Sequence, residues 1–220
     1  MILGLVGPAG AGKGTVADML VSEGYIKVAF ADILKDVVSI MFGWPRHLLE
    51  GDTDESRQFR ETVDEWWSER FGYPVTPRNM LQLMGTEAGR DVFHKDIWIL
   101  SLERRIRGRN NVVISDVRFP NEIDFVRKNG GKIVRVRRND PEHILALNDW
   151  KEYSDYTPDD DAVYEFMIRK YPHIHLSEYA WWNKTPDYTL YNTRTLEALK
   201  EKVLALISGV EPATLFHHPV

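Results

Sequence analysis

Gly7-Pro8-Ala9-Gly10-Ala11-Gly12-Lys13-Gly14-Thr15 lies between the short apolar run Ile2 to Val6 and a stretch from Val16 to Val21 whose apolar positions suit a helix. The run reads as a buried strand, and the stretch as a helix packed on a sheet. Between them, the G-x-x-x-x-G-K spacing lets backbone N–H groups converge on phosphate oxygens. The helix N-terminus adds a favourable dipole, and Lys13 can reach the outer phosphates. Gly10, Ala11, Gly12, Lys13, Gly14 and Thr15 are the candidate residues for binding a nucleoside triphosphate. The alternative is a glycine turn with no ligand, against which the strand-loop-helix context weighs. The residue after the lysine is usually a hydroxyl. Here it is Gly14, with Thr15 one place later, so direct ligation of Mg²⁺ by Thr15 stays open.

Outward from this loop, the pattern alternates. Tyr25 to Phe30, Val112 to Ser115, Ile133 to Val136 and Tyr188 to Tyr191 read as further short strands. Helices are expected over Asp32 to Phe42, with Ile33, Val37, Ile40 and Met41 on one face, and from Pro120 to a stop at Gly130-Gly131. Arg78 to Gly85 and Val92 to Arg107 read as two helices separated near Gly89, and Thr195 to Ile207 as a last amphipathic helix before a tail from Gly209. The polar, acidic and aromatic stretch 43–77, with a helix over Glu61 to Phe71, is expected as a lobe outside the sheet. The stretch 139–186 shows no sheet pattern and is expected as a flap with irregular or helical structure. The fold class is therefore α/β: a P-loop NTPase core with a five-stranded parallel sheet, helices on both faces, and ligands at the carboxyl ends of the strands. One kinase-like domain over 1–220, carrying the lobe and the flap, is the expected organisation.

The 220 residues, 43% of them hydrophobic, are enough for one such core. With no cysteine, disulfides and thiolate metal sites are excluded, and a reducing cytoplasm is the expected setting, the host's if the chain is phage-encoded. The first apolar run has no basic leader and is too short to span a membrane. A net charge of −5 argues against a broad nucleic-acid-binding surface. Expected partners are small nucleotides, with neither nucleic acid nor membrane, for a monomer or homodimer. A guanine-nucleotide switch would want Asn-Lys-x-Asp after a late strand. Asn183-Lys184-Thr185-Pro186-Asp187 has its aspartate one place too far and precedes the strand.

Val112-Val113-Ile114-Ser115-Asp116 is an apolar strand ending in a carboxylate, where enzymes of this class hold Mg²⁺, its water shell or the acceptor. The alternative role for Asp116 is a helix cap. Arg118 and Glu122 follow, completing S-D-V-R-F-P-N-E. Here the chain resembles the phage-type deoxynucleoside monophosphate kinases. Further matching blocks are Ala31 to Asp36, Arg78 to Glu87, Trp98, Gly131 to Arg137, and Tyr191-Asn192 with the helix after it. The likeness covers most of the chain in order and is thin across 43–77 and 140–186.

The resemblance implies ATP at the glycine loop, with Asn192 and Arg137 also contacting it, and a deoxynucleoside monophosphate across a cleft. It implies acceptor contacts from Lys35, Asp36, Arg60, Arg78, Gln82, Thr86, Trp98, Asp116, Arg118 and Glu122. Lys35 and Asp36 equally suit a solvated helix face. Arg57 and Arg60 lie in the weakly matching lobe. Trp98, spaced with Val92 and Leu102, equally suits a core. Arg135 and Arg137 share one face of a strand that Arg138 ends. Arg137 matches a lid arginine, and the alternative is a charged sheet edge that deters aggregation. Catalysis is expected from Lys13, Arg118 and Arg137, with Mg²⁺ held through Thr15 and Asp116, directly or through water. His173 and His175 have no partner cluster and read as ordinary surface or packing residues. Two rival functions remain: a kinase for another phosphorylated small molecule such as phosphomevalonate, or a nucleotide-dependent binding protein with little turnover.

Overall fold

β1 (Ile2–Val6), β2 (Ile26–Val28), β3 (Val112–Ile114), β4 (Lys132–Arg137) and β5 (Tyr188–Tyr191) lie parallel in the order β2-β3-β1-β4-β5. The computed structural model describes residues 1–153 and 158–209. The expected tail beyond Gly209 and four residues of the expected flap lie outside the described residues. By contact density the chain forms two units, Met1–Ala29 with Gly108 onward, and Phe30–Arg107.

The first unit holds the sheet. Along β1, alternate residues face opposite ways. Leu3 and Leu5 are buried with Val16, Ala17 and Leu20 of α1 (Lys13–Ser22) and with Leu199, Val203 and Leu206 of α10 (Leu196–Ile207). Gly4 faces the other way, where a Cβ would come within 3.0 Å of Val126 on α7 (Pro120–Lys128). Helices therefore cover both faces, which is why β1 and β3 read as near-continuous apolar runs. β1 lies between β3 and β4, so the chain runs to one side of β1 early and to the other side late. At such a switch point the loops leaving adjacent strands diverge and open a crevice at the carboxyl ends.

The stretch expected as a flap contains α8 (Glu142–Tyr153), α9 (Asp160–Lys170) and a short 3₁₀ turn at Leu176–Glu178, and no strand among the described residues. β4 pairs with β1 on one side and β5 on the other. The exposed-edge reading of Arg135 and Arg137 is thereby removed: they lie in the interior of the sheet.

In the second unit, α2 (Ala31–Phe42) corrects one expectation. Its buried face is Val38, with Leu34 and Phe42 packed on the same cluster, whereas Val37, Ile40 and Met41 are exposed. The helix carries apolar residues on two faces, and the i, i+4, i+8 series 34, 38, 42 is the one that meets Trp44, Leu49, Val75 and Met80. The helix expected over Glu61 to Phe71 is two: α3 (Asp54–Glu61) and α4 (Glu65–Phe71). Asp64 caps the second by accepting from the N–H of Trp67 at 3.1 Å.

The break expected near Gly89 is absent. α5 (Pro77–Leu83) runs into a π-helix, Met84–Phe93, and the chain turns only at 94–96 before α6 (Ile97–Ile106). Gly89 serves close packing: a Cβ there would lie 2.6 Å from the Trp98 ring and 2.6 Å from the Met84 carbonyl oxygen. The indole N–H of Trp98 donates to the Gly85 carbonyl at 2.8 Å.

Candidate active site

The loop after β1 takes its shape from three glycines at positive φ: Gly7 (143°), Gly10 (77°) and Gly12 (98°). Two are also fixed by space. A Cβ on Gly7 would lie 2.4 Å from the Val136 carbonyl oxygen, and one on Gly12 would lie 2.3 Å from the Asn192 amide nitrogen. Beside Gly10 and Gly14 a Cβ would meet nothing within 4 Å, so the loop is open on the side where a phosphate chain would approach. Behind it, buried Asn192 donates to the Ala11 carbonyl at 3.0 Å. Its amide braces the loop from the protein side.

Lys13 folds back over the loop, its Nζ donating to the carbonyls of Gly7 (2.7 Å) and Pro8 (2.9 Å). Its pKa is lowered to about 8, by burial above all and then by Arg118, while Glu178 and Asp116 oppose the fall. Lys13, Asp116, Arg118 and Glu178 thus share one electrostatic neighbourhood. The last two meet directly: Arg118 Nη1 donates to Glu178 Oε1 at 3.0 Å and to Ser177 Oγ at 3.2 Å. Glu178 Oε2 accepts from the backbone N–H of Ala9 at 3.3 Å. Sequence reasoning missed Glu178. It sits in a stretch without periodicity, and only its approach to the glycine loop, 169 residues away in the chain, marks it.

The loop after β3 brings Asp116 and Arg118 to this neighbourhood. Glu122 is 2% exposed, and its Oε2 accepts from the N–H groups of Arg118 (2.7 Å) and Phe119 (3.1 Å). A buried carboxylate occupied by two backbone donors holds the loop and positions Arg118. At the end of β4, Arg137 lies 2.6 Å from the carboxylate of Asp140, which is 2% exposed, and Arg135 lies 3.6 Å from the same oxygen. These are charge contacts without hydrogen-bond alignment. Burial and the neighbouring Arg137 lower the Arg135 pKa, and its guanidinium lies 5.1 Å from the Trp181 ring centre.

In the second unit, Lys35 and Asp36 belong to an ion network. Lys35 Nζ meets Glu50 at 2.6 Å, and Arg46 Nε meets Asp36 at 2.6 Å. Arg46 also bridges to Glu50 and, at 3.5 Å, to Asp32. Burial alone would raise the Glu50 pKa, but Lys35 and Arg46 hold it below the usual carboxylate range. Arg60 donates to the Glu50 carbonyl at 3.5 Å, beside Gly51. Arg78, Gln82 and Thr86 are exposed, and Arg78 pairs with Glu61. Arg78 and Gln82 lie on α5, and Thr86 lies on the π-helix that follows it. Trp98 is 8% exposed and packed on Gly89, which fits its core alternative.

Among the described residues, no group of three or more His, Asp or Glu is arranged to hold a metal unaided. Thr15 and Asp116 fit Mg²⁺ in a narrower sense, because that ion is commonly held by one or two protein oxygens together with water and phosphate. No helix among the described residues is long and apolar enough to cross a membrane.

Comparison with known proteins adds to this geometry. A family model described as deoxynucleotide monophosphate kinase matches residues 50–146. A protein of Acanthamoeba polyphaga mimivirus named putative deoxynucleotide monophosphate kinase is 36% identical over 152 residues, covering 63% of this chain and 74% of the relative. The deoxynucleoside-5′-monophosphate kinase of Escherichia phage T5 is 29% identical, covering 58% of this chain and 72% of its own. Among solved structures, shikimate kinase from Aquifex aeolicus aligns over 95% of this chain and 97% of its own, at 17% identity and a TM-score of 0.41.

Proposed function

We propose that this chain, which belongs to the deoxynucleotide monophosphate kinase family, transfers the terminal phosphoryl group of ATP to a deoxynucleoside 5′-monophosphate, releasing ADP and the deoxynucleoside diphosphate. It is a phosphotransferase with a nucleotide donor. The observation that carries the donor site is the open, positive-φ glycine loop at the carboxyl end of the central strand. Lys13 lies on it, and Asp116 and Arg118 are supplied by the neighbouring strand.

The attacking oxygen belongs to the acceptor's phosphate and is already anionic near neutral pH, so the reaction needs no strong base. A bond forms from that oxygen to the γ-phosphorus as the bond to the β-bridging oxygen breaks, and the electron pair leaves with ADP. The protein's task is alignment and charge. The loop N–H groups and Lys13 take the donor phosphates. Arg118, held at its backbone by Glu122, and Arg137 neutralise charge on the transferring group. Thr15 and Asp116 would hold Mg²⁺ directly or through water, and the ion would supply bridging charge between the donor phosphates. On the acceptor side, the family resemblance points to Lys35, Asp36, Arg60, Arg78 and Gln82. The stretch 139–186 is the proposed lid and 43–77 the acceptor lobe. The relatives do not favour the rival readings, a kinase for a different phosphorylated small molecule or a binding protein with little turnover.

The test is ADP release by the purified protein with ATP, Mg²⁺ and each deoxynucleoside and ribonucleoside monophosphate in turn. Release dependent on a deoxynucleotide, lowered about 100- to 1,000-fold by Lys13→Ala, supports the assignment. Arg78→Ala in the same assay should raise the acceptor KM more than the ATP KM. Release that no acceptor stimulates would overturn the assignment.

A further inference from the structure

Glu178 reaches the groups that the donor phosphates are proposed to use. One carboxylate oxygen takes the Ala9 N–H of the glycine loop, and the other takes the Arg118 guanidinium. Its field raises the proton affinity of Lys13. A backbone N–H of this loop, a lysine and an arginine are what a phosphoryl group would be offered. The turn that carries Glu178 is braced for this pose. Ser177 adds its hydroxyl to Arg118 at 3.2 Å, and its N–H donates to His175 Nδ1 at 3.2 Å. Glu178 keeps 28% of its side chain exposed, so it can leave without unpacking a core. A second contact has the same character: Asp140, at the root of the same stretch, holds Arg137 at 2.6 Å. Both arginines proposed to meet the transferring group are thus matched by carboxylates from 139–186.

We propose that Glu178 is a self-inhibitory contact of the donor site. Its carboxylate holds the phosphate position when no nucleotide is bound, and a ligand enters by displacing it. The inference rests on the reading of the glycine loop as the ATP site. A chain of several charged phosphates offers the loop, Lys13 and Arg118 more than one carboxylate does, whereas a single phosphate offers little more. Every ligand that displaces Glu178 bears the same cost, so Glu178 lowers each apparent affinity by one factor, after which di- and triphosphates still fill the site at working concentrations and monophosphates and inorganic phosphate do not. Its departure frees the Arg118 guanidinium and unties the 175–178 turn from the loop, so filling the donor site and releasing the turn are one event.

The experiment is calorimetric titration of the full-length protein and its Glu178→Gln, Glu178→Ala and Lys13→Ala variants with ATP, ADP, pyrophosphate, inorganic phosphate and adenosine. A melting curve of each variant controls for folding. Glutamine keeps the shape and loses the charge, so both Glu178 variants should bind ATP, ADP and pyrophosphate about three- to tenfold more tightly, on the scale of one charge-assisted contact. Inorganic phosphate should gain by the same factor, because each ligand that displaces Glu178 bears one common cost, and adenosine should be unaffected. Unchanged or weaker ATP binding by Glu178→Gln, at an unchanged melting temperature, overturns the proposal and makes Glu178 a spectator or a ligand of the bound nucleotide. If the wild-type protein binds no polyphosphate, or binds it equally after Lys13→Ala, the donor-site reading itself fails and this inference falls with it.

Discussion

The side-chain amide of Asn192 donates to the carbonyl of Ala11 at 3.0 Å, tying the residue after the last strand to the crown of the glycine loop across 181 positions of chain. The same amide nitrogen would lie 2.3 Å from a Cβ on Gly12, and the Asn192 backbone N–H donates to the Arg137 carbonyl at 2.8 Å. The loop is thus supported from behind by β5 and β4 together. Asn192→Ala removes the brace and opens space behind a loop whose conformation is otherwise costly. We expect a loss of about 1–2 kcal/mol in stability and a rise in the ATP KM that exceeds the fall in kcat. Thermal unfolding and steady-state kinetics check this, and an unchanged ATP KM would show that the glycines hold the loop unaided.

Donor affinity should depend on pH through Lys13. Its pKa in the free enzyme is about 8, set by burial and by Arg118. Phosphate favours the charged lysine, so the pKa rises on binding and the complex takes up a proton where the free enzyme has lost one. Below about pH 8 this contribution to ATP affinity is flat. Above it, affinity falls by up to about tenfold per pH unit until the pKa of the complex is reached. Titrations between pH 7 and 10 measure the slope, and Lys13→Met should abolish it along with most of the binding. A slope that persists in Lys13→Met would assign the pH dependence to another group.

Glu122 should act on catalysis through Arg118 without touching substrate. Glu122→Ala leaves the N–H groups of Arg118 and Phe119 without their carboxylate acceptor, a cost of about 2–4 kcal/mol. Glu122→Gln keeps one acceptor oxygen and should recover most of the stability. The discriminating readout is kinetic: in Glu122→Gln the kcat should follow the stability back toward wild type. A Gln variant as stable as wild type yet as inactive as the Ala variant would return Glu122 to direct substrate contact.

The order of elements was legible because backbone rules act locally. Glycines at the spacing of a phosphate cradle, apolar runs of strand length and helices stopped by glycine all follow from short-range sterics and hydrophobic burial, so β1, β5 and α7 fall within a residue or two of their expected places. Locality also explains the misses. α2 carries apolar residues on two faces, and only the partner cluster around Trp44 and Leu49 selects Leu34, Val38 and Phe42 as the buried one. Gly89 reads locally as a helix breaker, yet its missing side chain makes room for Trp98, which comes nine residues later.

By itself the sequence determined the donor chemistry: Lys13 follows a loop that only glycines can shape, and every part of that motif lies within nine residues. Tertiary structure decided which distant groups meet it. The strand order β2-β3-β1-β4-β5 sets the end of β3 beside the end of β1, bringing Asp116 and Arg118 to Lys13, and puts β4 in the interior, so that Arg135 and Arg137 are not edge charges. It set Glu122 and Asn192 as buried braces of the two loops, and it brought Glu178 onto the glycine loop from a stretch with no pattern of its own. Such pairings depend on long-range packing, in which the partner of a carboxylate or an amide is set by where the sheet delivers it. No spacing along the chain encodes that.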